Sequence, residues 1–102
     1  MGDSVYFVLQ VTNVSEAPVD LRFHSGQSYD FAVVSGSREV WRWSGDQMFT
    51  QALRNERLEP GATLRFEESW APPTGVNGEL IAVGQLTAQN QPIEQRAHFR
   101  LP

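Results

Sequence analysis

Two histidines, His24 and His98, are the only imidazoles in this 102-residue chain, and it has no cysteine. Zinc sites are built from closely spaced His and Cys ligands, and neither histidine belongs to an H-x-x-x-H or C-x-x-C pair. A metal would therefore need carboxylates gathered by the fold, so we assign no metal ligand and expect no cofactor. Signatures of hydrolytic and nucleotide chemistry are also missing: there is no G-x-S-x-G elbow, H-E-x-x-H pair, phosphate-binding glycine loop or dinucleotide fingerprint. Glu67 and Glu68 are adjacent, and neighbouring strand residues point to opposite faces, so they cannot act as a paired acid and base. Asn13-Val14-Ser15 matches a glycosylation sequon but lies among turn-forming residues, and we read it as turn chemistry. The chain is not expected to be an enzyme. Its chemistry is that of recognition.

The richest stretch for recognition is the middle third. Tyr29, Phe31, Trp41, Trp43, Met48 and Phe49 fall within it, including two of the three tryptophans. Two readings apply. Trp41 and Trp43 share parity on a strand, so both can enter one sheet face beside Phe31 and Trp70 while Arg42 faces solvent, and Met48, Phe49 and Leu53 then plug an open end. Alternatively the connection from Trp43 to Leu53 is an exposed recognition loop, because aromatic and Met side chains anchor protein interfaces well. The candidate interaction residues are Ser44, Gly45, Asp46, Gln47, Met48, Phe49 and Leu53.

The elements that must hold this stretch are strands. Val5, Phe7, Leu9 and Val11 alternate with Tyr6, Val8 and Gln10, the pattern of a half-buried strand. After a turn at Thr12–Pro18 the alternation resumes at Val19, Leu21 and Phe23. Tyr29, Phe31 and Val33 form the next strand, and Ser35–Arg38 reads as a tight turn into Glu39–Trp43. The spacing of Met48, Phe49, Ala52 and Leu53 predicts one short helical turn with Asp46 as its N-cap. Pro60-Gly61 suits a type II turn, in which Pro presets φ and Gly takes a positive φ. Further strands follow at Leu64–Trp70, Glu79–Ala88 and Ile93–Leu101. About seven strands with regularly spaced turns predict an all-β fold, an immunoglobulin-like antiparallel β-sandwich, formed by residues 1–102 as a single domain.

Composition narrows the partners. Hydrophobic residues make up 40% of the chain and charged residues 20%, which is globular rather than disordered. No apolar run approaches the roughly 18 residues of a membrane span. The net charge is -4 and all eight basic residues are arginines without a clustered stripe, so nucleic acid is not an expected partner. No basic or signal-type stretch precedes the alternation at Val5, which predicts a cytoplasmic location, with a trimmed export signal as the alternative.

At these residues the chain resembles the bacterial intracellular proteinase inhibitor family, the BsuPI type. The resemblance is carried by F-x-x-G-Q-x-Y-D-F at Phe23–Phe31, E-V-W-R-W-S at Glu39–Ser44, M-F-T-Q-A-L at Met48–Leu53 and L-x-P-G at Leu58–Gly61. It implies an immunoglobulin-like fold and inhibition of a subtilisin-like serine protease, with Ser44–Leu53 as the contact loop and Met48 or Phe49 as the pocket residue. A fold shared with inhibitors does not by itself carry the activity. The alternative is a non-inhibitory interaction module of the bacterial cell or envelope.

Overall fold

A computed structural model describes residues 4–102. The first strand, β1 (Val5–Thr12), buries Phe7, Leu9 and Val11 and exposes the residues between them. β2 (Val19–Phe23) continues the pattern by burying Leu21 and Phe23. Both strands pair antiparallel with later segments: β2 with β5 (Arg54–Leu58), and β1 with β6 (Thr63–Trp70). The chain from Val5 to Phe23 thus runs beside the chain from Leu58 outward in one long ribbon, interrupted where Asn13–Pro18 faces Glu59–Ala62.

Asn13 closes that interruption. It is buried, its Oδ1 accepts bonds from the Ser15 N–H and hydroxyl, and its Nδ2 donates to the carbonyls of Ala17 and Leu58. The Asn13 carbonyl accepts from the Gly61 N–H, and Gly61 has φ 78° in a turn closed by the Ala62 N–H on the Glu59 carbonyl. These are the type II turn and the Asn turn chemistry read from the sequence.

The second layer is a four-stranded antiparallel sheet. It places β4 (Arg38–Arg42) at one edge, then β3 (Tyr29–Ser35), β7 (Gly78–Leu86) and β8 (Ile93–Leu101) at the other edge. Gly36, at φ 62°, makes the tight β3–β4 hairpin, where the first turn residue must take a positive φ. The core lies between the layers: Phe7, Leu9, Leu21, Phe23 and Trp70 come from the ribbon, and Phe31, Val33, Leu80 and Leu86 from the sheet. Each fully buried Leu or Phe contributes about 1.5–3 kcal/mol, so the two layers hold each other by packing without any disulfide.

The fold is the expected antiparallel β-sandwich, with eight strands instead of about seven. The additional strand is β5, whose sequence RNERL has only Leu58 fully buried. A strand with four polar residues, three of them charged, before a single leucine carries no period-two apolar signal. Its pairing with β2 places it.

Candidate functional site

The middle third leaves the sheet at Arg42, which is still extended at φ -143° and ψ 124°. Trp43–Asp46 then forms one 3-10 turn, and Gln47 returns to extended backbone at φ -108° and ψ 153° while its N–H donates to the Ser44 carbonyl. From Gln47 to Leu53 the chain has no regular secondary structure. This corrects the helical turn expected over Met48–Leu53 and the assignment of Asp46 as its N-cap. The turn lies about one helical turn earlier, at Trp43–Asp46, and Asp46 ends it.

The physical reason is burial. A single helical turn is stable only when packing covers its apolar face. Here Met48 is 97% and Leu53 76% exposed, so no such face is covered. The expectation that Met48, Phe49 and Leu53 together plug an open end fails for the same reason. Phe49 alone turns inward, meeting the Trp43 ring edge-on with centroids 5.7 Å apart.

Three sets of contacts brace the segment. At its start, buried Asp30 accepts the Ser44 N–H at 3.1 Å and the Ser44 hydroxyl at 2.6 Å, and its other contacts are the Phe31 N–H and the Arg42 guanidinium at 2.9 Å. Arg42 therefore does not simply face solvent; it bridges Asp30, Glu39 and Gln85. The Glu39 carboxylate first, and Asp30 next, hold its protonated form beyond the usual arginine range. At the far end, Arg54 donates to the Ser25 carbonyl at 2.9 Å and to the Ser28 hydroxyl, while its guanidinium lies 4.3 Å above the Phe23 ring. In the middle, the Gly26 N–H donates to the Thr50 carbonyl at 2.9 Å. A Cβ on Gly26 would stand 2.9 Å from Thr50 Oγ1, so glycine is what allows this close approach.

The aromatic residues form the platform beneath. Tyr29 stacks on Trp43 and on Phe66, each at 4.6 Å, and donates its hydroxyl to Glu68. Burial first, and the Glu68 carboxylate next, push the Tyr29 phenol up to about 12. Glu68 is thus a hydrogen-bond acceptor against the platform and not a solvating edge group. Trp41 stacks between Phe7 and Trp70, at 5.3 Å from each. Both tryptophans pack, while Gly45, Asp46, Gln47 and Met48 are exposed and Ser44 is half-buried. The packed reading holds for the rings and the exposed reading for the connection.

His24 and His98 are both exposed, and among the described residues no group of three or more His, Asp or Glu side chains could hold a metal. The geometry is that of a held, protruding segment. The description of a protein family fits it.

A family model for the intracellular proteinase inhibitor (BsuPI) matches residues 1–91. The chain belongs to that family. No curated protein matches it. The BsuPI match takes in β1 through β7 and all of Ser44–Leu53, and ends before β8. It also explains residues that were not singled out as functional. Gly26 and Asp30 lie in the G-Q-x-Y-D-F run and are the contacts that hold Thr50 and Ser44. Arg54 follows the M-F-T-Q-A-L run directly, and its role could be found only from the structure, because an arginine in a charged segment carries no sequence signal. By its family this is a proteinase inhibitor, and its partner is a proteinase.

Proposed function

We propose that this protein inhibits a cytoplasmic subtilisin-like serine protease by presenting Ser44–Leu53 to the enzyme's substrate cleft, with Met48 entering the specificity pocket. The observation that carries the proposal is an extended Gln47 followed by a fully exposed Met48, outside any helical turn and between two anchored ends. A protease binds its substrate as an extended strand, so a helical turn at Met48 would have blocked this route. An ordered loop also binds more tightly than a mobile one, because less conformational freedom is lost in the complex. Asp30 and Arg54 supply that order where other small inhibitors would need disulfides.

The different burial of the two pocket candidates favours Met48. Phe49 is half-buried on Trp43, so drawing it into an enzyme pocket would strip that contact from the platform. Met48 has nothing to give up. Its flexible thioether adapts to an apolar pocket of uncertain shape.

Substitutions at the two positions test the assignment. Met48→Ala should weaken inhibition of a subtilisin-like protease by about 30-fold, the effect of an interface anchor worth about 2 kcal/mol. Its melting temperature should not change, since the side chain is exposed. Phe49→Ala should instead lower stability and increase cleavage of the loop. If Met48→Ala inhibits as well as the parent, Met48 is not the pocket residue.

A further inference from the structure

The four-stranded sheet has two edges of different kinds. β4 is five residues long, and its pairing with β3 is broken by a register shift at Val33/Val34. Short, bulged strands are a common protection against unwanted edge pairing. β8 has no such protection. It runs nine residues, contains neither proline nor glycine, and keeps an unbroken register against β7 from Leu86↔Ile93 to Gly78↔Leu101. Among the described residues its outer backbone edge has no strand partner.

The sequence of β8 also indicates what could pair with it. Two identical strands related by a two-fold axis normal to the sheet pair antiparallel, with like faces continuous, so the axis must pass through a residue position. Centred on Ala97, all nine residues find partners. Ile93 falls opposite Leu101 and Glu94 opposite Arg100, each twice by symmetry. Arg96 falls opposite His98, and Gln95 opposite Phe99. Moving the centre by one residue destroys the match: at Arg96 the two arginines oppose each other, and at His98 Arg96 opposes Arg100. Opposite charges directly across a strand pair stabilise it, and like charges destabilise it.

The surrounding charges extend the same pattern. Within one copy Arg96 already contacts Glu94 at 2.9 Å, and Arg100 contacts Glu79 at 2.8 Å. Pairing through Ala97 joins these into a line running Glu79, Arg100, the second copy's Glu94 and its Arg96. On the inner face, the half-buried Ile93 meets the second copy's half-buried Leu101 at each end of the junction. We infer that this protein self-associates through β8, antiparallel and centred on Ala97, to give a two-fold dimer with one eight-stranded sheet. Ser44–Leu53 follows β4 at the opposite edge, so the dimer would carry two unobstructed loops pointing away from its axis.

Sedimentation velocity over about 10 µM to 1 mM protein reads the association directly, a range suited to a small interface of about 4–7 kcal/mol. The parent should shift from monomer to dimer. Arg100→Glu should weaken the dimer at least tenfold, and the combined Glu94→Arg, Arg100→Glu exchange should restore it. Circular dichroism and melting curves should show that both variants remain folded. A second readout uses the absence of cysteine: Ala97→Cys should cross-link rapidly on mild oxidation, because symmetric Ala97 positions stand about 4.5–5.5 Å apart in such a pair. Ser37→Cys, also exposed but in the β3–β4 turn at the opposite edge of the sheet, should cross-link far more slowly. A monomer throughout the range, an Arg100→Glu dimer as strong as the parent's, or equal cross-linking at Ser37 and Ala97 would overturn the inference.

Discussion

Asp30 is a carboxylate that occupies a buried position because four donors surround it: two backbone N–H groups, a hydroxyl and a guanidinium. Removing it leaves those donors without their acceptor. Asp30→Ala should therefore cost about 2–4 kcal/mol in urea unfolding, and it should convert the protein from an inhibitor into a substrate cut within Ser44–Leu53. Tyr29 gives a second prediction at this scale. Its neutral form is favoured in the fold, with the phenol raised from 10.0 to about 12. A raised pKa means that this stabilisation is complete below pH 10 and lost as pH rises through about 12. In a Tyr6→Phe background the tyrosinate absorbance should appear near pH 12, and Tyr29→Phe should remove the stability loss between pH 10 and 12. Neither role was legible in the residue itself. Asp30 was part of a recognisable run, but its donors on Arg42 and Ser44 lie 12 and 14 positions away and meet it only when β3 and β4 pair.

The segment Ser44–Leu53 was singled out from sequence as one element, and it does protrude as one element. Its internal conformation was misread because i, i+1, i+4, i+5 spacing suits a helical turn only where something packs on that face. The competing force is the backbone bond from Gly26 to Thr50, made across a gap that glycine leaves open. Gly26→Ala should push Thr50 away and destabilise the loop's position by about 1–3 kcal/mol, an overpacking effect. The expected readout is faster proteolysis between Ser44 and Leu53 and weaker inhibition, with little change in the unfolding midpoint. β5 was missed for a related reason: it has no apolar alternation, and only its pairing with β2 reveals it. β1 and β2 were legible because each buries every second residue against the core, and β6 because its half-buried and exposed residues alternate up to the buried Trp70.

Across the whole molecule, that core is continuous between the ribbon and the four-stranded sheet, and the molecule extends over 45 × 29 × 26 Å. We expect residues 1–102 to unfold in a single cooperative transition, as small domains do. Leu80, 1% exposed at the centre of the sheet, should cost about 2–5 kcal/mol when truncated to Ala, with the whole chain losing stability together. Two separate transitions in urea would show that ribbon and sheet fold independently. A sandwich of this kind isolates its edges from its core, so the loop after β4 can bind a protease while β8 binds a second copy.

The central claim is that a braced Ser44–Leu53 segment, extended at Gln47 after its 3-10 turn, blocks a subtilisin-like protease through Met48. Residual activity of such an enzyme, titrated with the parent protein and with Met48→Asp, measures it most directly when the inhibitor is then weighed by mass spectrometry. The account predicts stoichiometric, saturable inhibition by the parent, recovered intact or cut once within Ser44–Leu53, and its loss in Met48→Asp without loss of fold. Full activity of several subtilisin-like proteases in excess parent protein, or equal inhibition by Met48→Asp, would contradict it.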